Sequence, residues 1–326
     1  MEITEVSWTS QGFPAALVEL WRKSKGWKGR WVLVQYTALS WSKRGFPVMF
    51  LFLLLLLRVR KARIAVVFHD PRTYSGSRFV DWARSACQRY VMRCAYRITN
   101  TSILTIPLED VSWVPRDLSK AVFIPVGSNI PPLARSMSNG RAENFRAKTI
   151  AVFSMTDGGI APELDDIAFA VKSVEQQVPR LRLVTLGRGS KEAEETLRQK
   201  LSGVRTEFAA LGLLPPEEIS KILASSNVLL FARGGLSTQR GSAIAGIACG
   251  LPIVAYSNSV ARPPLSEAGV LFVPHGDREG LSNAIVRVLT HSQLWEELHR
   301  RSLHTYERYF SWDVIADKFV KILANG

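Results

Sequence analysis

The sequence has few cysteines, no apolar run long enough to cross a membrane and no pair of aspartates suited to a metal ion. Its 326 residues include three cysteines, Cys87, Cys94 and Cys249, whose spacing fits neither a disulfide framework nor a metal site. Two of them lie seven residues apart on one predicted helix, where we expect them to pack. The cysteine usage therefore indicates a reducing, cytoplasmic compartment.

The most apolar stretch of the chain is too short to span a bilayer. Residues 46–57 read FPVMFLFLLLLL, whereas a spanning helix needs about 20 apolar residues. We predict a helix buried against a sheet, with contact to a bilayer surface as an open alternative. The first residues mix Glu2, Glu5 and Trp8, so we expect no secretory signal.

Acidic residues are scarce in the first half of the chain. Residues 1–150 hold 23 Lys and Arg against 9 Asp and Glu, while the remainder holds 19 of each, so the whole formal charge of +14 arises in the first half. Such a surface attracts anionic lipid head groups, nucleic acid or a polyanionic substrate, and the sign of the charge does not choose among them. We find no nucleic-acid recognition motif and expect no nucleic-acid partner.

The first half alternates apolar strands with helices. The predicted elements, in order, are helix 14–25, strand 31–36, helix 46–57, strand 64–68, a basic helix 77–96, and strands 97–102 and 121–125. The basic helix carries Arg78, Arg84, Arg89 and Arg93 among aromatic residues, which predicts either a solvated face or part of a positive surface. Residues 131–145 are rich in Pro, Ser, Gly and charge, as is typical of a linker between domains.

The second half repeats the same alternation more regularly. Predicted strands cover 148–153, 181–186, 227–231 and 253–256, and predicted helices cover 162–178 and 216–225. Strands that alternate with helices favour a parallel sheet with helices on both faces. The fold class we predict is therefore α/β, with two Rossmann-like domains that face each other across a cleft.

The stretch around which the chain is organised is FARGGLSTQRGSAIAGIACGLPIVAY, residues 231–256. It predicts a strand end, a loop, a short helix of small residues and a second strand. Three glycines in the loop let the backbone approach a ligand, namely Gly234, Gly235 and Gly241. The polar side chains that supply donors near the start of the helix are Ser237, Thr238, Arg240 and Ser242. The amino end of a helix favours a phosphate, although a loop that merely caps its helix remains the alternative.

Two further places at strand ends are candidate sites. His69 follows the predicted strand 64–68, where open α/β sheets bind ligands, and its imidazole could hold or deprotonate a substrate hydroxyl. His69-Asp70-Pro71 could instead form a turn in which Asp70 caps the next helix. Gly187-Arg188-Gly189 predicts a tight turn that approaches a ligand, but without a third glycine it does not establish NAD binding.

Several stretches taken together resemble a known family. These are LVTLGRGS, LGLLPPEEISKILASSNVLLFAR, GSAIAGIACGLPIVAY, EAGVLFVPHGDREGLSNAIVRVL and YERYFSWDVIADKFVKIL. They are similar in order and spacing to the carboxyl-terminal domain of GT-B glycosyltransferases of the large bacterial retaining group (glycosyl transferases group 1), from about residue 149 to the end. QYTALSWSKRGFP and VVFHD resemble parts of the acceptor domain of the same enzymes, with lower specificity.

The resemblance implies transfer of a sugar from a nucleotide-sugar donor to a lipid-linked or polysaccharide acceptor, by a retaining reaction without a metal or other cofactor. It implies an acceptor domain at 1–145, a donor domain at 146–308 and a helix at 309–326 that returns to the first domain. It also implies a cytoplasmic enzyme that could lie on the inner face of an anionic membrane. The implied catalytic residues are His69, Arg188 and Arg240, and the implied donor-binding residues are Gly187, Gly189, Gly234, Gly235, Ser237, Thr238, Gly241 and Ser242.

Two departures from the family pattern stand beside this prediction. The family carries Glu, seven residues, then Glu across the loop and helix, and here Ser237 and Ala245 occupy those positions. The family's first domain usually begins with two or three more strands, so we expect a shortened first domain. Two alternative functions therefore stay open. One is a non-catalytic GT-B module that binds a nucleotide sugar or scaffolds a glycan-synthesis complex, and the other is a nucleotide-sugar epimerase on the same architecture.

Overall fold

The computed structural model describes residues 2–133, 147–155, 161–257 and 261–325. The chain divides into two compact units, of which the first comprises 1–125 and 317–326 and the second comprises 126–316. Most of the linker predicted at 131–145 lies outside the described residues. Each unit is built on its own parallel sheet, which confirms the α/β class.

The first unit contains a four-stranded parallel sheet with the strands in consecutive order. Its strands are β1 (Trp31–Tyr36), β2 (Arg63–Phe68), β3 (Thr101–Leu104) and β4 (Ala121–Phe123), and its helices are α1 (Trp8–Gln11), α2 (Phe13–Lys23), α3 (Ala38–Trp41), α4 (Met49–Val59) and α5 (Phe79–Ile98). Because β1, β2 and β3 lie side by side, the right-handed crossovers place α4 and α5 on the same face of the sheet.

Apolar side chains on alternate positions of β2 form the core of the first unit. Ile64, Val66 and Phe68 are fully buried and pack against side chains of α4 and α5. Ala65 and Val67 point to the other face and are also buried. A strand that is buried on both faces has the continuous apolar sequence that predicted it.

The second unit contains a six-stranded parallel sheet in the order β10-β9-β8-β5-β6-β7. Its strands are β5 (Lys148–Phe153), β6 (Leu181–Leu186), β7 (Glu207–Ala210), β8 (Val228–Phe231), β9 (Ile253–Ser257) and β10 (Val270–Pro274). Its helices are α6 (Ala161–Glu175), α7 (Glu194–Lys200), α8 (Pro216–Ser225), α9 (Gly241–Ala248), α10 (Arg278–Thr290) and α11 (Ser292–Thr305). This is a doubly wound sheet, since the chain leaves β5 toward β6 and returns to β8 on the other side.

Two cores lie on the two faces of the second sheet. Val228 and Leu230 of β8 pack with α6 and α10, while Leu229 and Phe231 of the same strand pack with α8 and α9. The last helix, α12 (Trp312–Asn325), follows a π-helical turn at Tyr306–Phe310. Its residues from Asp317 onward are grouped with the first unit.

Two sequence predictions in the first unit need correction. The strand expected at 97–102 begins only at Thr101, because α5 continues to Ile98. Arg84, which was expected to contribute to a positive surface, donates from Nη1 to Asp81 Oδ1 at 2.9 Å and from Nε to Arg44 O at 2.9 Å. Its charge is therefore largely compensated within the fold.

Gly269 lies where the packing of the second unit leaves no room for a side chain. A Cβ built there would overlap the carbonyl oxygen of Leu298 and lie 2.6 Å from its carbonyl carbon, so backbone must move. We expect Gly269→Ala to lower the free energy of unfolding by about 3 kcal/mol. Gly203→Ala is the comparison variant, because a Cβ there would meet none of the described atoms within 4 Å. Only the positive φ of Gly203 is then unfavourable for alanine, and we expect the free energy of unfolding to fall by about 1 kcal/mol. Urea unfolding of both variants measures the difference, and equal losses would contradict the packing described here.

Candidate functional site

The topological switch point of the second sheet lies between β5 and β8. These two strands are neighbours, and the chain leaves them in opposite directions. In open α/β sheets, ligands bind in the crevice outside the carboxyl ends of the strands at such a point. The described residues that follow β5, β6 and β8 therefore define the candidate site of the second unit.

The glycine turn after β6 packs closely against the end of β5. Gly187 and Gly189 have φ of +79° and +78°, and a Cβ on Gly187 would lie 2.8 Å from the Phe153 ring. A Cβ on Gly189 would lie 3.0 Å from Met155 O. Met155 N also donates to Arg188 O at 2.8 Å. The turn is thus fixed by backbone contacts, while the Arg188 side chain is exposed.

The loop after β8 is anchored at two points. Arg240 N donates to Ser237 O at 3.0 Å, and Val126 N donates to Thr238 O at 3.4 Å. Thr238 is 2% exposed, so it helps to fix the loop rather than offering a fully accessible hydroxyl. Gly234 has a φ of +52° and a Cβ position with no described atom within 4 Å, which leaves the backbone there accessible. Gly235 follows it in the same loop.

Helix α9 brings its amino end to the switch point. Arg240 occupies the N-cap position, and its side chain makes no capping hydrogen bond. The first-turn amides and the positive end of the helix dipole make this end suited to an anion.

The structure adds one residue that the sequence did not single out, Arg233. Its Nη2 donates to Ser242 Oγ at 2.8 Å, and its buried Nε has no hydrogen-bond partner among the described residues. Burial lowers the pKa of Arg233, the nearby charge of Arg240 lowers it further, and Glu163 opposes both effects. Two cations near one helix end form a site whose charge an anionic ligand would compensate.

The predicted site residues fall into two groups. The second unit contains the turn and the loop, and the first unit contains His69. The residues in the second unit are Gly187, Arg188, Gly189, Gly234, Gly235, Ser237, Thr238, Arg240, Gly241 and Ser242. Of the two positions where the family has glutamate, Ser237 is partly exposed, whereas Ala245 is fully buried in α9.

His69 lies at the carboxyl end of β2, as predicted. Its Nε2 is hydrogen-bonded to Gln35 Oε1 of the neighbouring strand, and its carbonyl oxygen accepts a hydrogen bond from Thr105 Oγ1 at 3.2 Å. His69 is exposed to solvent, and partial desolvation of its imidazole lowers the pKa of the ring. The neutral ring is therefore the main form near pH 7, with Nε2 positioned to donate to Gln35.

The described residues do not contain a group of three or more His, Cys, Asp or Glu side chains that could hold a metal ion. The expectation of a metal-independent reaction stays a prediction. The residues available to hold a phosphate are Arg233, Arg240, Ser242 and the first amides of α9. No helix in the described parts of the chain is long and apolar enough to cross a membrane.

Comparisons with known proteins identify the fold. The chain superposes on the crystal structure of HepE from Anabaena in complex with UDP and glucose, with a TM-score of 0.66 and 13% identity over 98% of this chain and 83% of that chain. It also superposes on sucrose-phosphate synthase from Thermosynechococcus elongatus, with a TM-score of 0.66 and 18% identity over 96% and 77% of the two chains. The fold is that of the GT-B glycosyltransferases.

Sequence comparison supports the same conclusion for part of the chain. Residues 155–291 match the family model described as glycosyl transferases group 1, which confirms the resemblance for this segment. A mannosyltransferase of Corynebacterium glutamicum, named as GDP-mannose-dependent and acting on a monoacylated phosphatidylinositol monomannoside, is 24% identical over 167 residues. That match spans 49% of this chain and 43% of the length of the curated relative.

The lowered pKa of His69 predicts a pH effect on stability. The unfolded chain binds a proton at about pH 6.5, whereas the folded chain binds it only at lower pH, so stability falls as the pH drops from about 6.5 through the folded pKa. Titration of the His69 ring protons by NMR should give a midpoint below 6.5. His69→Gln should lose both that resonance and this part of the pH dependence. A midpoint at or above 6.5 would show that partial desolvation does not control the pKa of this imidazole.

Proposed function

We propose that this chain transfers a sugar from a nucleotide-sugar donor to a lipid-linked or polysaccharide acceptor. The observation that carries the proposal is the pair of arginines beside the amino end of α9, at the switch point of the second sheet. Arg233 donates to Ser242 at 2.8 Å and has a buried Nε without a described partner. A nucleoside diphosphate supplies the negative charge and the acceptor oxygens that this group of donors lacks.

In the proposed reaction, these residues stabilise the leaving group. When the bond between the sugar carbon and the diphosphate oxygen breaks, negative charge grows on the nucleoside diphosphate. Arg233, Arg240 and the helix amino end would stabilise that charge, and the Arg188 side chain could approach from the turn after β6. Fixed positive groups can perform the work that a divalent metal does in other transferases, so we propose a metal-independent reaction.

We assign His69 a role on a substrate hydroxyl. A neutral imidazole that is held by Gln35 can accept a proton or a hydrogen bond only in an orientation that the fold sets. Its position at the end of a parallel strand is where this class of sheet binds ligands. We also propose that the configuration at the transferred sugar carbon is retained, and this part of the proposal rests on the family resemblance alone.

The similar proteins guide the choice of donor without fixing it. The names of these proteins mention UDP with glucose, UDP-glucose and GDP-mannose. We therefore propose a nucleoside diphosphate sugar with uracil or guanine as the base. The excess of basic residues in the first half of the sequence supports a cytoplasmic enzyme that works at an anionic membrane surface on a lipid-linked or polymeric acceptor.

The second candidate function is a non-catalytic module that binds a nucleotide sugar. It is favoured by the absence of a carboxylate at Ser237 and Ala245, because a buried alanine cannot hydrogen-bond a ribose. The two candidates share the diphosphate site and differ in turnover. Binding and turnover must therefore be measured separately.

Donor binding should depend on both arginines. We expect Arg233→Ala and Arg240→Ala each to weaken binding of UDP or GDP about tenfold, because a charge-assisted hydrogen bond contributes about 1.5–3 kcal/mol. Isothermal titration calorimetry with each nucleotide, with and without Mg²⁺, gives the affinities. Arg205→Ala is the matched control, since this exposed arginine precedes β7 and therefore lies away from the carboxyl ends of the strands. Unchanged affinity in both site variants would refute the assignment of the loop.

Turnover separates the enzyme from the binding module. We expect slow release of nucleoside diphosphate from the matching nucleotide sugar without acceptor, because water can replace the acceptor hydroxyl. His69→Ala should reduce this release and leave donor affinity near that of the parent. A coupled assay for the released diphosphate measures the rate. Donor binding without any release would support the non-catalytic module, and a fully active His69→Ala would remove His69 from the site.

A further inference from the structure

Helix α4 is apolar on its outward face as well as on its buried face. Its inward side chains pack in the core of the first unit, and its outward side chains reach solvent. The buried residues are Phe50, Leu54 and Leu57, and the exposed apolar ones are Met49 (42%), Phe52 (49%), Leu55 (48%) and Val59 (67%). The exposed residues are spaced by three and four, so they form one stripe along the helix. A soluble surface helix normally places polar side chains there.

Helix α2 widens this stripe. It packs beside α4, with the Phe13 ring 6.5 Å from the Phe52 ring and the Arg60 guanidinium 3.3 Å from the centre of the Trp21 ring. Trp21 is 43% exposed and Val18 is 51% exposed. We call the exposed residues Val18, Trp21, Phe52, Leu55 and Val59 the α2–α4 face.

Exposed apolar side chains are concentrated in the first unit. Of the 20 large apolar side chains that are exposed among the described residues, 16 belong to the first unit and four to the second. The four in the second unit are Leu133, Phe169, Leu213 and Trp312. Isolated exposed apolar residues are ordinary, but a stripe that covers two adjacent helices marks an interaction surface.

The charge around this stripe is almost entirely positive. Residues 13–98, which include α2, α4 and α5, contain 17 Lys and Arg against three Asp and Glu. Glu19 is paired with Lys23 at 2.6 Å and Asp81 with Arg84 at 2.9 Å, so their charges are compensated within this layer. The surroundings therefore favour an anionic partner and oppose a second copy of the same face.

Helix α5 adds aromatic and basic side chains to the same layer. Phe79 and Trp82 lie at its amino end with ring centroids 6.0 Å apart, and they are 83% and 67% exposed. Farther along the same helix, Arg89 and Arg93 are exposed. Exposed aromatic rings beside basic side chains are typical of protein surfaces that lie in the interface of a bilayer.

We propose that the α2–α4 face docks in the plane of an anionic lipid bilayer, with Phe52, Leu55 and Val59 among the acyl chains. The 11 residues of α4 extend about 16 Å, roughly half the hydrocarbon thickness, so the helix lies in the interface and does not cross. The exposed bases around it, including Arg58, contact lipid phosphates. This inference deepens the membrane-surface part of the proposed function and is independent of the nucleotide site.

Vesicle co-flotation without nucleotide tests the proposal. The full chain is mixed with phosphatidylcholine vesicles that contain or lack phosphatidylglycerol, at low and at high salt. We expect binding to the anionic vesicles only, weakened by salt. The double variant Phe52→Ser/Leu55→Ser should bind at least about tenfold more weakly, because two apolar side chains no longer enter the bilayer. The matched control is Leu213→Ser, which removes an 82% exposed side chain from the second unit and should bind as the parent does.

A second measurement does not depend on variants. Hydrogen exchange of the parent with anionic vesicles should become slower in α4 and stay unchanged in α8. Parent protein that does not float, a double variant that floats as the parent does, or protection confined to other helices would each overturn the proposal. Binding to double-stranded DNA that the double variant retains, in place of vesicle binding, would identify a nucleic-acid surface and also overturn it. UDP and GDP titrations report separately on the proposed function, so the two failures are distinguishable.

Discussion

The candidate site depends on how closely α9 packs on β8. The helix is formed by GSAIAGIA and is buried along its length, and a Cβ on Gly246 would already lie 2.7 Å from Leu229 Cδ2. Only small side chains let a helix come so near to a strand. This packing fixes the amino end of α9 beside the end of β8, and Ser242 thereby becomes the partner of Arg233. The small side chains that let α9 pack closely on β8 therefore also position the positive end of its dipole at the switch point.

Arg233 is held in a position that is unfavourable without a ligand. A guanidinium with a buried Nε that lacks a described partner is unfavourable in the absence of an anion, and the neighbouring charge of Arg240 increases the cost. Such an arrangement contributes to binding, because a diphosphate would replace repulsion by charge-assisted hydrogen bonds. The preorganised donors need little rearrangement when charge develops on the leaving group. Residues that weaken the ligand-free state in this way are expected at a functional site.

Apolar periodicity predicted most of the strands, among them β1, β2, β5, β6, β8 and β9, but not β10, α10 or α11, although these also carry large side chains. The order of motifs predicted the GT-B fold. Strand β7 was not predicted because its sequence, EFAA, has only one large apolar residue, and its pairing with β6 defines it. Arg233 was missed because its contact with Ser242 spans nine residues of a loop whose path no local pattern sets. Arg84 was interpreted as a surface charge because its compensation by Asp81 depends on side-chain geometry. Composition indicates where charge is abundant, whereas only the fold shows which charges are compensated.

The two units divide the physical demands of the proposed reaction. The second unit holds a compact group of cations that suits one diphosphate, and its overall charge is close to balanced because acids and bases are nearly equal in number beyond residue 150. The first unit spreads a much larger positive charge over helices whose outward faces also carry apolar side chains. A small anionic ligand needs a few fixed donors, whereas a bilayer needs area and many weak contacts. The different distribution of charge in the two units is therefore what the proposed donor site in one and the proposed lipid surface on the other require.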